Sequence, residues 1–176
     1  GPLAHAGRNA QEHGVSLSLR LAPGLDAVRP EECDTVSIAG MGGQTIAEIL
    51  QAAPWTADGA HLLLLQPMTM VYELRQWLWA HGYAIERETL CREDRRRYVV
   101  LSVRGGAPEK QVPLSQCAVS SALLRAPGAA DYLQHLLTRE QRALAGMEQA
   151  RDRDDTRLAA QRALVHEIKQ ALEGLT

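Results

Sequence analysis

Three glycines, Gly40, Gly42 and Gly43, surround Met41 in the part of the chain whose residue types best suit ligand binding. A β-prone run, 34–39, precedes them and a helical pattern follows, so they predict a strand, turn and helix in succession. At such a turn, glycine lets backbone N–H groups approach a ligand closely. A tight turn that needs glycine only for its backbone angles is the competing interpretation. The candidate binding residues are Ala39, Gly40, Met41, Gly42 and Gly43.

The same turn lacks the residues that two familiar nucleotide sites require. A dinucleotide site needs a third glycine where Thr45 stands and an acid where the next strand ends in Gln66. A phosphate-binding P-loop needs a lysine after the spacer, and the chain continues with Gln44 and Thr45. Binding of NAD or FAD and nucleotide hydrolysis are therefore disfavoured. The histidines have no paired ligand spacing, and no hydrolase triad can be assembled, so we expect no metal.

Gln66 and Pro67 end the next apolar run, Leu62–Leu65, at the edge of the sheet where open α/β folds bind ligands. A carboxamide both donates and accepts, so Gln66 can match the Watson–Crick edge of adenine. A glutamine that only caps the strand is an equal alternative.

A basic cluster lies further along, at the tip of a predicted β-hairpin beside Tyr98. Arginines at an exposed turn could contact phosphate groups, although a solvated turn with its own ion pairs is the more common meaning of a mixed-sign run. The candidate RNA-binding residues are Arg92, Arg95, Arg96 and Arg97.

These candidates need elements to position them, and the apolar periodicity predicts an α/β protein. The continuously apolar 62–65 run is typical of a strand in a parallel sheet, and a β-hairpin follows it. Two helices with apolar stripes then form an antiparallel helical hairpin. The predicted helices are Ala4–His13, one that follows 40–43, one around Met70–His81, Ala129–Ala150 and Arg153–Leu172. The predicted strands are Val15–Leu21, Asp34–Ala39, Leu62–Leu65, Tyr83–Arg92 and Arg97–Val103.

Composition narrows the class of protein. The 176 residues include 19 basic and 21 acidic side chains, so a nucleic-acid partner would have to bind a local patch. The three cysteines lie far apart without a C-x-x-C pair, which favours reduced thiols in a cytoplasmic protein. No apolar run reaches the length of a membrane span.

An ordered set of motifs along residues 1–105 resembles the bacterial tRNA (adenine(22)-N(1))-methyltransferases, and the C-terminal helices resemble that family's coiled-coil domain. The motifs that carry this resemblance are Ile38–Gly43, Leu65–Pro67, Leu74–Leu78, Glu88–Leu90 and Tyr98. The resemblance implies a Rossmann-like class I methyltransferase sheet, S-adenosyl-L-methionine as cofactor and tRNA as partner. It adds Gly24 and Leu25 to the cofactor-binding candidates and makes Gln66 and Pro67 the catalytic ones.

The resemblance also implies an organisation: a partial methyltransferase domain over 1–106, a linker over 107–128 and a helical arm over 129–176. Gly1-Pro2-Leu3 matches the residues that follow the family's second strand, so the first βαβ unit is expected upstream of this chain. A non-catalytic RNA-binding or scaffolding protein is one alternative. A methyltransferase with another acceptor is the second, because a fold does not determine a substrate.

Overall fold

The computed structural model describes residues 1–94, 96–150, 152 and 154–175. Arg95, a predicted RNA-binding residue, and Arg153, the predicted start of the last helix, lie outside the described residues. The helices are α1 (Pro2–Glu12), α2 (Gly43–Ala52), α3 (Val71–Ala80), α4 (Ser121–Leu124), α5 (Ala129–Gln149) and α6 (Asp155–Glu173). The strands are β1 (Thr35–Gly42), β2 (Leu62–Thr69), β3 (Ala84–Glu93) and β4 (Arg96–Arg104). Short 3₁₀ helices lie at Pro30–Glu32, Pro54–Ala57 and Leu114–Ala118.

The described strands form a mixed sheet in the order β1, β2, β4, β3. β1 and β2 are parallel, while β4 is antiparallel to both β2 and β3. The core on this sheet contains Leu63, Leu65 and Leu101, whose side chains are completely buried. They pack with Ile46 of α2 and Leu78 of α3. The predicted α/β class, with parallel units that end in an antiparallel pair, is confirmed.

The predicted strand at Val15–Leu21 is wrong. The segment is not part of the sheet, and its alternating apolar side chains are exposed, up to 92% at Leu21. Alternation shows that side chains suit a sheet, but a strand also needs a neighbour that supplies backbone hydrogen bonds. Within the described chain, β1 is an edge strand and pairs only with β2, so this segment lacks that neighbour.

Two strands run further than predicted. β2 continues through Gln66 and Pro67 to Thr69, and β1 continues through its glycines to Gly42. The two strands stay paired there, with an irregular register between Ala39 and Gly42. A bulge of this kind accommodates a proline, which has no N–H to donate, and a glycine with positive φ. The predicted breaks are thus irregularities within a longer parallel pair.

The C-terminal helices form the predicted antiparallel hairpin, and α5 and α6 start and end within about two residues of the expected positions. Its core reaches beyond the hairpin, because Leu133, Leu136 and Ile168 pack with Leu123 of α4 and the partly buried Tyr72 of α3. The helical hairpin therefore rests against the sheet domain. The division of the chain at residues 106 and 128 stays a prediction.

Candidate functional site

The Gln66 side chain connects the ends of β1 and β2. Its Oε1 accepts a hydrogen bond of 2.9 Å from the backbone N–H of Gly40, which has a φ of 76°. Its Nε2 donates over 3.3 Å to both the Pro67 carbonyl oxygen and the Met68 sulfur. The carboxamide thus holds the glycine turn against β2, as a strand-capping glutamine does. Its Nε2, with the longer contacts, is the atom for which an incoming base could compete.

Gly42 and Gly43, by contrast, meet a packing requirement. A Cβ on Gly43 would lie 2.3 Å from the Met70 carbonyl oxygen, and one on Gly42 would lie 3.2 Å from the Thr69 hydroxyl oxygen. Gly43 is buried at the first residue of α2. The missing side chains therefore allow α2 and α3 to begin side by side.

A cavity of about 720 Å³, here called the edge cavity, lies beside β1. Its walls come from the start of α1, the loop around residues 20–25 and β1. It brings together four of the predicted cofactor-binding residues, which are Gly24, Leu25, Ala39 and Met41. The other three, Gly40, Gly42 and Gly43, do not line it. The volume is typical of sites that hold small organic ligands.

The predicted basic cluster is divided by the fold. The Arg92 side chain donates to the Asp94 carbonyl oxygen of its own turn, and Arg96 is exposed. Arg97 instead reaches α5, where it donates to both carboxylate oxygens of Asp131 over 2.9 and 3.1 Å. Among the described residues of this cluster, Arg97 is therefore the one that hydrogen-bonds to the helical hairpin.

Arg97 lines a groove of about 510 Å³, here called the arginine groove, between the β-hairpin and α5. The residues that line it are Arg97, Asp131, Gln134, His135, Thr138, Arg139 and Arg142. A hydrogen bond from Arg97 lowers the pKa of the Asp131 carboxyl. Burial and the charges of Arg97 and Arg139 lower the pKa of the His135 imidazole. The groove is therefore electropositive.

A second space of about 510 Å³, here called the junction cleft, opens where β2 ends. Met68–Glu73 form one wall, and α5 and α6 form the other. Glu140 accepts hydrogen bonds there from Tyr72, at 3.1 Å, and Gln161, at 2.9 Å. Burial raises the pKa of the Glu140 carboxyl, but hydrogen bonds from Gln161 and Arg139 outweigh it and leave the pKa below its ordinary value. The cleft thus has a polar wall with a carboxylate that remains ionised.

A buried ion pair holds the intervening segment against the sheet. Arg75 of α3 donates to the Glu88 carboxylate of β3 over 2.6 and 3.1 Å, and both side chains are completely buried. Its remaining nitrogen donates to the Cys117 and Ala118 carbonyl oxygens at 3.0 Å each. Ser120 donates to Glu88 and also caps α4. The segment around residues 117–120 is therefore linked to α3 and the sheet through one polar network.

Arg139 and Arg142 are not among the sequence-predicted site residues, and the motifs that contain Arg75 and Glu88 predicted no contact between the two. A signal was present in α5, because His135, Arg139 and Arg142 follow the i, i+4, i+7 spacing that places side chains on one helix face. Nothing local pairs Arg75 with Glu88, since the contact depends on how α3 packs on β3.

Within the described ranges, no three His, Cys, Asp or Glu side chains lie close enough to hold a metal ion. No described helix has the length and apolar character that a membrane crossing requires.

Comparison with known proteins identifies relatives. Residues 1–101 match the family described as "Methyltransferase domain". The tRNA (adenine(22)-N(1))-methyltransferase of Bacillus subtilis strain 168 is 33% identical over 129 residues, which are 72% of this chain and 53% of that protein. The chain therefore spans about half the length of this curated relative.

Solved structures are similar over almost the whole chain. The B. subtilis m1A22 tRNA methyltransferase TrmK has a TM-score of 0.79 at 26% identity and covers 98% of this chain and 78% of its own. Streptococcus pneumoniae Sp1610, in complex with S-adenosyl-L-methionine, has a TM-score of 0.78 at 27% identity, with 98% and 77% covered. These matches include both the sheet and the helical hairpin.

Proposed function

This chain belongs to the methyltransferase-domain family, and from that premise we propose that it is part of an enzyme that methylates N1 of an adenine in tRNA with S-adenosyl-L-methionine. The B. subtilis relative is a tRNA (adenine(22)-N(1))-methyltransferase, and a further similar structure contains S-adenosyl-L-methionine, which supports this reaction. The observation that carries the proposal is the arrangement at the carboxyl ends of β1 and β2. Ala39 and Met41 of the edge cavity pair with Gln66 and Pro67, and the junction cleft begins at Met68.

The edge cavity fits part of the cofactor. Its size suits an adenosyl ligand, and side chains such as Leu25, Ile38 and Ile49 give it apolar walls. None of its described lining residues is a carboxylate, the group that commonly holds ribose hydroxyls in Rossmann-like sites. Gly24, Leu25, Ala39 and Met41 would therefore hold the cofactor at one side only.

Methyl transfer to adenine N1 requires alignment of the two reactants and does not require a general base. S-adenosyl-L-methionine supplies a methyl group on a positively charged sulfur. Adenine N1 already carries a lone pair at neutral pH, so the protein has to hold the ring in line and exclude water. We assign that task to Gln66 and Pro67, which border an adenine turned out of the RNA stack. Gln66 Nε2 would donate to a ring nitrogen other than N1, so that the lone pair that takes the methyl group stays free, and the buried Pro67 would limit water access.

Binding of the tRNA itself requires contacts away from the target base. We assign them to the helical hairpin and to the basic turn with Arg92, Arg95, Arg96 and Arg97. Backbone phosphates dominate the affinity of such complexes, and arginine is well suited to them. The site of action is the cytoplasm in this proposal, consistent with the free thiols of Cys33, Cys91 and Cys117.

The first test fills the edge cavity. Ala39→Leu places extra carbons in the space assigned to the cofactor, so calorimetry should show S-adenosyl-L-methionine binding by the parent chain and at least about tenfold weaker binding by the variant. Ala52→Leu, on the exposed end of α2, is the matched control and should bind as the parent does. Equal binding by both variants would remove the edge cavity from the proposal.

The second test addresses the substrate side. In a tRNA methylation assay read by nucleoside mass spectrometry, Gln66→Ala should lower kcat by about tenfold or more, while cofactor binding stays intact. Full activity of this variant would contradict the role of Gln66. If the parent chain binds tRNA but neither binds cofactor nor transfers methyl groups, the RNA-binding scaffold becomes the better description.

A further inference from the structure

The arginine groove has the composition of a polyanion site. Three arginines and His135 line it, and Asp131 is its single acidic residue. Asp131 is engaged by Arg97, and Arg139 pairs with Glu140 outside the groove, so Arg142 supplies the positive charge that no described carboxylate neutralises. Arg142 is exposed and makes no ion pair with any described residue. An elongated anion can therefore lie along α5 without displacing an existing partner of Arg142.

Arg139 is positioned in advance for such a ligand. Its Nε and Nη2 donate to Glu140, and Nη2 also donates to the Tyr72 hydroxyl over 2.7 Å. Nη1 has no partner among the described residues, and the side chain is 57% exposed. A guanidinium whose orientation is already set loses less entropy when it binds phosphate. One face of the group anchors it, and the other is available.

The location of Arg139 links two spaces. It lines both the arginine groove and the junction cleft, and the cleft begins at Met68, two residues after Gln66. We propose that the arginine groove holds the phosphate backbone of the tRNA strand that enters the junction cleft, with Arg139 gripping a phosphate at their shared rim. This inference rests on the proposed function and specifies which side chains guide the substrate toward Gln66.

Removal of the carboxylate in the groove should change tRNA affinity in the opposite direction to removal of an arginine. Asp131 is 60% exposed beside the proposed phosphate path, where it repels the RNA and occupies Arg97. Asp131→Asn should therefore strengthen tRNA binding at low salt. A groove with a purely structural role would not gain affinity from this change.

The experiment measures tRNA affinity of the whole chain by filter binding across a salt series. Arg139→Gln and Arg142→Gln should each weaken binding, by about tenfold for Arg139, and each should reduce the slope of log affinity against log salt by about one. Arg29→Gln is the matched control, because Arg29 is 72% exposed, pairs with Glu31 and Glu32, lies outside the helical hairpin and the basic turn, and lines neither space. It should leave both affinity and slope unchanged.

The outcomes separate this inference from the function on which it rests. If the parent chain binds tRNA and the groove variants match the Arg29→Gln control, the inference is overturned while the proposed function stands. Absence of tRNA binding by the parent chain would contradict the proposed function. Because Arg139 also contacts Tyr72 and Glu140, Arg142→Gln and Asp131→Asn keep the test valid if Arg139→Gln unfolds.

Discussion

Two arginine–carboxylate pairs hold helices against the β3–β4 hairpin, and they differ in solvent exposure. In the pair of Arg75 with Glu88 both side chains are 0% exposed, whereas Arg97 and Asp131 are 16% and 60% exposed. Both arginines use two nitrogens to bind their carboxylate. The chemical groups are the same, so burial alone sets them apart.

The contrast shows how one interaction type serves structure in one place and binding in another. Removal of one partner from a buried pair leaves an uncompensated charge in a low-dielectric interior. Removal from an exposed pair leaves a charge that water solvates. We therefore assign the buried pair to holding α3 and the segment around residues 117–120 against the sheet, and the exposed pair to the proposed RNA-binding surface.

The largest expected effect comes from breaking the buried pair. Arg75→Met removes the donor of Glu88 and of the Cys117 and Ala118 carbonyl oxygens, so it should lower the free energy of unfolding by about 3–5 kcal/mol. Urea titration followed by circular dichroism measures this. The double variant Arg75→Met/Glu88→Leu removes both charges and should recover much of the loss. A single variant as stable as the parent would contradict the comparison.

The reactivity of the Cys117 thiol should also show whether the buried Arg75–Glu88 pair is intact. Burial raises its pKa to about 11, although Arg75 and Lys110 act in the opposite direction. Thiolate is the reactive form, so a disulfide reagent near pH 8 should label the exposed Cys91 and spare Cys117 in the folded chain. Labelling of Cys117 should accelerate in Arg75→Met. Fast labelling in the parent would show that the segment around 117 opens freely.

A smaller effect on stability is expected from alanine substitution of two glycines, one at a buried position and one at an open position. Gly43→Ala would force a Cβ against the Met70 carbonyl oxygen and should cost about 1–3 kcal/mol. Gly146→Ala in α5 meets open space and should instead stabilise the chain by about 0.5–1 kcal/mol, because alanine loses less backbone entropy in a helix. Thermal unfolding of the two variants gives the signs, and equal signs would contradict this use of burial.

The smallest effect belongs to the exposed pair. Arg97→Gln should change the Tm less than any variant above, because solvent screens both partners. The folded-state pKa of Asp131 lies below its unfolded value, so the stabilisation is present above the ordinary aspartate range and disappears as the pH falls through the lowered pKa. Parent and variant should therefore converge in Tm at acidic pH. A difference that grows on acidification would reverse the assigned sign.

Local patterns were enough to predict most of the elements. The apolar run at 62–65 predicted a parallel strand, and the periodicity of the C-terminal helices predicted their bounds closely, since both depend on side chains within a few positions of each other. The strand at 15–21 failed for the opposite reason, because a strand depends on a neighbour that its own residues do not encode.

In the candidate site too, some residues could be predicted from local sequence and others only from the tertiary structure. By itself, the sequence predicted the glycine turn and gave Gln66 and Arg97 as candidate residues, because residue type and local spacing carry that information. Only the tertiary structure brought Ala39 and Met41 into a cavity with Gly24, joined Arg75 to Glu88 and placed Arg139 between two clefts. These meetings depend on how helices pack on the sheet, and packing brings together residues that are far apart along the chain.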